Sequence, residues 1–118
     1  MRPGARTPEE LETLLEDAFL ARDDQALCEM FEQDAVLVAG NPAREARGAK
    51  EIGRLARTIW DSDRNYIADP QRVVQARDTA VVLANGGINV VRRGSDGEWR
   101  YAIALLAHEE TAHEEEEK

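Results

Sequence analysis

Residues 94–107 read GSDGEWRYAIALLA, and this stretch decides how the rest of the chain is interpreted. Asp96-Gly97 is a strong signal for a two-residue β-turn, because both positions of such a turn favour positive φ. The turn predicts a hairpin between residues 88–93 and a long strand over 98–107. It would set Arg93 opposite Arg100, Val91 opposite Ala102 and Asn89 opposite Ala104. Alternation along the strand predicts one face formed by Trp99, Tyr101, Ile103 and Leu105 and another formed by Ala102, Ala104 and Leu106.

The composition predicts one soluble domain. The chain has 118 residues and a net charge of −9, of which the six Glu and one Lys of residues 109–118 supply −5. This acidity argues against a nucleic-acid surface, and no stretch is apolar and long enough to cross a membrane. We therefore predict a flexible N-terminus over residues 1–6, a single domain over 7–108 and a poorly ordered acidic tail over 109–118.

The location that the sequence favours is the cytoplasm. The first residues lack the apolar core of a signal peptide. Cys28 is the single cysteine, so an internal disulfide is excluded, as expected in a reducing compartment. Cys28 has no His nearby in sequence, and nothing suggests a lowered thiol pKa that would make it a nucleophile.

The order of predicted elements is typical of an α+β domain. Thr7-Pro8-Glu9-Glu10 predicts a helix start, Asp23 or Asp24 caps a short second helix, and Gly48 opens a third. Strands are expected at 35–39, 72–77, 80–84, 88–93 and 98–107. We predict that three helices pack on one face of a bent, mainly antiparallel sheet. The buried helix residues should be Leu11, Leu14, Leu15, Phe19, Ile52, Leu55 and Ile59.

Four pieces of the sequence together resemble the nuclear transport factor 2-like superfamily, in its SnoaL-like and ketosteroid-isomerase-like branch. They are ARDDQAL at 21–27, MFEQDAV at 30–36, Arg47-Gly48 ahead of a helix with Ile52, and DGEWR at 96–100. The resemblance lies in their order and spacing and spans about residues 7–107. It implies a cone-shaped domain whose bent sheet wraps the helices around an apolar pocket, and it implies dimers formed through the sheet.

The catalytic positions of ketosteroid isomerases are mostly apolar in this chain. The tyrosine that donates to the oxyanion matches Leu15, or Ala18 with a shifted gap. The aspartate that acts as general base matches Ala39, and the second oxyanion donor matches Asn89. Steroid isomerisation needs a base and donors aimed at the developing enolate, so the resemblance does not extend to this activity. No Asp-Arg-Asp set of the epoxide hydrolases of the family can be placed either.

The remaining candidate residues are those expected to line a pocket or an interface. A ligand pocket is expected at Leu15, Phe19, Trp60, Tyr66, Asn89, Ala102, Ala104 and Leu106. Asn89 is interpreted either as a polar anchor for a ligand or as a hydrogen-bonded structural amide; Trp60 and Tyr66 either contact the ligand or pack in the core. If Ala102, Ala104 and Leu106 face the helices, a homodimer interface is expected at Trp99, Tyr101, Ile103 and Leu105, because such an apolar stripe is unusually large for a monomer.

Two function classes stay open. The first is a small-molecule binding domain with an apolar pocket and no recognisable catalytic set. The alternative is a SnoaL-like lyase, isomerase or cyclase acting on a polyketide-like or terpenoid substrate. A module that only mediates dimerisation is a third interpretation. We expect no metal, since His108 and His113 do not share a helix face, and no cofactor. A carboxylate buried inside the domain would best separate binding from catalysis.

Overall fold

A computed structural model describes residues 4–39, 43–61, 70–84 and 87–106. It contains three helices, α1 (Pro8–Ala21), α2 (Asp24–Glu29) and α3 (Gly48–Asp61). The described strands are β1 (Phe31–Ala39), β2 (Arg44–Arg47), β3 (Pro70–Ala76), β4 (Thr79–Ala84), β5 (Gly87–Arg93) and β6 (Trp99–Leu106). None of the described helices is both long and apolar enough to cross a membrane.

The helix starts lie where the sequence predicts them. Thr7 precedes α1, and its hydroxyl accepts a hydrogen bond from the Glu10 backbone N–H at 3.0 Å. Asp23 caps α2 in the same way, since its Oδ1 accepts from the Ala26 N–H at 3.1 Å. Each cap pairs one of the N–H groups that a helix leaves without an internal partner. The α1 start and the α2 start are therefore set by local sequence.

The described strands form one sheet in the order β2-β1-β6-β5-β4-β3. Neighbouring strands are antiparallel except for β1 and β6, which are parallel. The α+β class and the mixed, mainly antiparallel sheet are thus confirmed. The short strand β2 was not predicted, because Arg44–Arg47 carries three charged side chains in four residues and shows no apolar alternation.

The three helices pack on the sheet and on each other. Helix α3 contacts β1 and β2, α1 contacts β3 and β6, and α2 joins the other two helices. Of the seven helix residues predicted to be buried, five are buried, and Leu14 and Ile59 pack against the core while partly exposed. The core also includes Ala5, which forms a bridge with Trp99. The packed part of the chain therefore begins before residue 7.

The hairpin loop differs from the predicted two-residue turn. Gly97 N–H donates to the Gly94 carbonyl at 2.9 Å and Gly94 N–H donates to the Glu98 carbonyl at 2.8 Å, so the loop has three residues. Gly97 has φ +83°, the left-handed conformation that the last residue of such a loop requires. The extra loop residue sets Arg93 opposite Trp99, so the predicted pairing of Arg93 with Arg100 is wrong.

A β-bulge then corrects the register within the hairpin. Val91 pairs with Tyr101 but Val90 pairs with Ile103, so Ala102 is the additional residue of the bulge. Beyond it, Asn89 pairs with Ala104 as predicted. The bulge interrupts the alternation of side chains along β6. Trp99 and Tyr101 are consequently buried like Ala104, whereas Ile103 and Leu105 are exposed.

The hairpin tip is held by an ion pair between Arg100 and Asp96. Arg100 Nη2 lies 2.8 Å from Asp96 Oδ2, and the Glu98 backbone N–H donates to Asp96 Oδ1 at 3.0 Å. The hydrogen bond from Arg100, followed by that from Glu98, lowers the pKa of Asp96 to about 2. Asp96 is thus ionised at neutral pH and fixes the loop that determines the register.

Candidate functional site

A buried polar cluster connects α1 to the inner face of the sheet. The Tyr101 hydroxyl donates to Glu12 Oε2 at 2.9 Å, and Asn89 Nδ2 donates to the same oxygen at 2.7 Å. All three side chains have no exposed area. Moving a carboxyl group out of water is unfavourable unless it is hydrogen-bonded, so these two donors stabilise Glu12 in the interior. We call these three residues the Glu12 cluster.

Asn89 has its amide oriented by two different partners. Its Oδ1 accepts from the Leu105 backbone N–H at 3.2 Å, while its Nδ2 donates to Glu12. Because a backbone N–H can only donate, this arrangement fixes which end of the amide points at the carboxyl group. Asn89 is therefore a hydrogen-bonded amide, and its contact with a ligand stays a prediction.

Sequence reasoning missed Glu12, although the chain contains a signal for it. Glu12 lies three residues before Leu15 and seven before Phe19, so it belongs to the buried stripe of α1. A charged residue inside an apolar stripe indicates an internal polar partner. Tyr101 was missed for another reason, since its inward position depends on the bulge at Ala102.

Most of the predicted pocket residues lie in the interior. Leu15, Phe19, Trp60, Asn89 and Ala104 are all 5% exposed or less, and Ala102 and Leu106 are half-buried. Tyr66 lies outside the described residues. The structure brings Phe19 of α1 against Trp60 of α3, with ring centroids 5.7 Å apart in an edge-to-face arrangement. It also makes Asn89 and Ala104 direct cross-strand neighbours.

Trp60 carries a buried indole N–H donor. Its Nε1 is inaccessible to solvent and has no hydrogen-bond partner among the residues that the structure describes. Buried N–H groups are almost always hydrogen-bonded in folded proteins, because an unpaired one keeps its full desolvation cost. Trp60 thus adds a polar group to an otherwise apolar contact with Phe19.

A concave region lies at the start of β6. It is a half-open groove of about 300 Å³ between the start of β6 and helices α1 and α2. Its lining includes Leu11, Met30, Trp99 and Arg100 and none of the predicted pocket residues. The groove is therefore separate from the predicted pocket.

The residues that match catalytic positions of the isomerases are buried and mostly apolar. Leu15, Ala18 and Ala39 are 3% exposed or less. Cys28 is partly buried, and its Sγ donates to the Ala49 carbonyl at 3.6 Å. Burial raises the pKa of the Cys28 thiol, and the Asp24 carboxylate raises it further. The thiolate is disfavoured, which argues against a nucleophilic role.

The predicted dimer interface is wrong at two of its four residues. Trp99 and Tyr101 are 2% and 0% exposed, whereas Ile103 and Leu105 are 42% and 40% exposed. The bulge at Ala102 is the physical reason, as it changes the direction of the strand's side chains. Of the four predicted interface residues, only Ile103 and Leu105 lie on the outer face of the sheet.

The outer face carries two rows of aliphatic side chains across five strands. Directly paired residues share a face. The pairings give one row of Val74, Val81, Val90, Ile103 and Val36 and a second row of Leu83, Ile88, Leu105 and Val38. Five of these are large and more than a third exposed: Val74, Leu83, Ile88, Ile103 and Leu105. We call these two rows the outer apolar face.

Comparisons with known proteins identify the fold. No family model matches the chain, and no curated protein matches it in sequence. A putative calcium/calmodulin-dependent protein kinase type II association domain from Thiobacillus denitrificans has a TM-score of 0.72 at 16% identity, over 91% of this chain and 100% of that one. A ketosteroid isomerase-like protein from Erwinia carotovora has a TM-score of 0.67 at 18% identity, over 84% and 91%.

A third similar structure is a putative dehydratase of the nuclear transport factor 2-like family from Streptomyces avermitilis. It has a TM-score of 0.66 at 16% identity, over 82% of this chain and 90% of that one. The chain therefore has the nuclear transport factor 2-like fold, as the resemblance implied. At these identities the likeness shows the fold alone, and the activities named for these proteins are theirs.

Proposed function

We propose that this protein binds a small, largely apolar molecule between its helices and the inner face of its sheet. The observation that carries the proposal is the Glu12 cluster, which places a carboxyl group, an amide and a phenol inside an apolar interior. Ligand sites are characteristically apolar cavities with a few fixed polar groups that orient the ligand. The Glu12 cluster would supply the fixed polar groups of such a site.

The surrounding side chains suit an apolar ligand. Leu15 and Phe19 follow Glu12 on the same stripe of α1, and Trp60 approaches Phe19 from α3. The strands opposite contribute small side chains, with Ala80 on β4 and Ala104 on β6. We assign the ligand to the layer between these short side chains and the helices.

A second candidate, an acid–base enzyme of the lyase, isomerase or cyclase type, is favoured by Glu12 itself. A buried carboxylate that accepts two neutral hydrogen bonds is a suitable general base for removing a proton next to a carbonyl group. Several proteins of this fold are described as isomerase-like or as a dehydratase. The substrate would be polyketide-like or terpenoid. Exchange of substrate hydrogen for deuterium in D₂O, lost in Glu12→Gln, would identify this activity.

Titration with a fluorescent aromatic ligand tests the binding proposal. 6-Acetyl-2-naphthol should bind saturably at one site per chain. Ala104→Leu adds three carbon atoms on the inner face and should weaken binding about tenfold or more, because the added side chain competes for the ligand's space. The neighbouring Ile103→Leu keeps the volume and lies on the outer face, so it should bind as the native protein does. Equal binding by all three proteins would contradict an internal site.

We also propose that two copies associate through the outer apolar face. The exposed aliphatic side chains of β3 to β6 and their half-buried neighbours form a patch of the kind that isolated monomers rarely present to water. A symmetric pair would bury the same patch on both copies. The helices cover the inner face of the sheet, and the second copy would cover its outer face.

A further inference from the structure

The groove at the start of β6 has walls that are fixed by backbone hydrogen bonds. The Trp99 N–H donates to the Ala5 carbonyl at 2.9 Å, and the Tyr101 N–H donates to the Met30 carbonyl at 2.8 Å. These bonds hold the segment before α1 and the end of α2 against β6. The volume of about 300 Å³ is at the lower end of the range for small-molecule sites. The groove is therefore a preformed concavity of a size that suits a body of one or two rings.

The deeper part of the groove is apolar. Five of its lining side chains are apolar, namely Leu11, Leu14, Ala26, Met30 and Trp99. All of them are buried except Leu14, which is half-buried and closer to the opening. A ligand that covers these side chains would remove their remaining surface from water, which favours an apolar body.

The outer part of the groove is acidic. Arg100 lies 2.8 Å from Asp96 and 3.3 Å from Glu98, so Asp96 is its closer counter-ion. A Cβ on Gly4 would collide with the Glu98 carboxylate, which places that carboxylate against the segment before α1. Glu29 is exposed and forms no hydrogen bond or ion pair with any residue in the described part of the chain. Three carboxylates beside one guanidinium leave the opening with excess negative charge.

We propose that this groove binds a small organic cation, in which a protonated amine at the opening faces Glu29 and Glu98 and an apolar body of one or two rings lies against Leu11, Met30 and Trp99. The site is distinct from the layer between the helices and the inner face of the sheet, and it does not depend on the function proposed there. The charge at the opening favours a cation over a neutral molecule of the same shape and disfavours an anion.

Three probes with the same ring system test the charge preference. They are 2-(1-naphthyl)ethylamine, 2-(1-naphthyl)ethanol and 1-naphthylacetic acid, which are cationic, neutral and anionic at neutral pH. Each is titrated into the full chain by isothermal titration calorimetry at about 0.15 M salt, where long-range attraction between exposed charges is largely screened. The native protein should bind the amine at one site per chain. We expect about tenfold weaker binding of the alcohol, as for two lost ion pairs near the surface, and still weaker binding of the acid.

Matched substitutions test whether the amine occupies the groove. Leu14→Trp fills the opening and should weaken the amine and the alcohol alike by about tenfold or more. Leu20→Trp makes the same change at an exposed position of α1 outside the groove and should bind as the native protein does. Glu29→Gln and Glu98→Gln should each weaken only the amine, by about threefold. Glu16→Gln removes the same charge from a residue that does not line the groove and should have no effect.

The results that would overturn the proposal are separate from those that concern the internal site. Equal affinity for the three probes would contradict the preference for a cation, and unchanged binding of the amine by Leu14→Trp would contradict its place in the groove. Should Leu14→Trp fail to fold in thermal unfolding, the two carboxylate variants beside their control decide instead. Ala104→Leu, on the inner face, should leave binding of the amine unchanged; a loss there would place the amine in the interior and overturn the groove site. Absence of binding by all three probes would overturn this inference and leave the proposed function to its own titration.

Discussion

Glu12 is held by groups that come from distant parts of the chain. Its two hydrogen-bond donors lie 77 and 89 residues away in sequence, on β5 and β6. These bonds fix α1 against two strands at one point. The same three groups would also be the polar end of the proposed ligand site, so stability and binding depend on the same carboxyl group.

Removal of the Glu12 carboxyl group should therefore destabilise the fold. In Glu12→Ala the Tyr101 hydroxyl and the Asn89 amide lose a partner inside the protein, and each buried donor left unpaired costs about 1–3 kcal/mol. We expect a loss of about 2–4 kcal/mol in the free energy of unfolding, measured with urea. Glu12→Gln retains an acceptor oxygen and should lose less. Asp17→Asn, on the exposed side of α1, should change stability by less than about 0.5 kcal/mol; a similar loss in all three variants would show that the cluster is not responsible.

At the scale of elements, local signals were sufficient for the helices and insufficient for the hairpin. Thr7 and Asp23 specify helix starts through bonds to residues three positions away, so sequence alone reveals them. The bulge at Ala102 depends on how β6 meets both β5 and β1, where the pairing register shifts as well. A one-residue shift exchanges the two faces of a strand, which is why the inward position of Tyr101 could not be predicted.

Substitution of two glycines by alanine tests the packing of these elements, since one change should destabilise the protein and the other should stabilise it. A Cβ on Gly87 would lie 1.9 Å from the Leu105 carbonyl oxygen, so Gly87→Ala must displace the backbone at the β5–β6 pairing. We expect a loss of more than about 2 kcal/mol. Gly53, inside α3, has no neighbouring atom closer than 3.8 Å to an added Cβ, so Gly53→Ala should stabilise by about 0.5–1 kcal/mol.

Thermal and urea unfolding of the two variants beside the native protein provide the measurement. If Gly87→Ala were neutral, the close approach of β5 and β6 would be contradicted. If Gly53→Ala were destabilising, the open space that the structure shows around a Cβ at residue 53 would be contradicted.

At the scale of the whole molecule, the order of helices and strands was enough to predict the α+β class, whereas the fold itself was implied by the resemblance of four sequence pieces to a known superfamily. Each strand of residues 70–106 was predicted with bounds within two residues of those observed, whereas β1 begins at Phe31, four residues before its predicted start. The candidate site was only partly predictable. Asn89 stood out as a polar residue in an apolar strand, whereas the role of Glu12 emerges only when α1 is packed on the sheet.

The arrangement of the two sheet faces leads to the last prediction, a homodimer through the outer apolar face. Three of its five exposed aliphatic side chains, Leu83, Ile88 and Leu105, pair directly across neighbouring strands. The other two, Val74 and Ile103, are connected through the half-buried Val81 and Val90. Burying each of these half-exposed side chains contributes roughly 1 kcal/mol, and both copies contribute, which can offset the entropic cost of association. Ile88→Asp or Leu105→Asp should therefore shift the protein to monomer in sedimentation velocity. Leu20→Asp should not, although Leu20 on α1 is 63% exposed, because it lies on a helix. Native protein that sediments as a monomer at tens of micromolar would contradict the dimer, whereas a dimer that survives both sheet substitutions would contradict the assigned face.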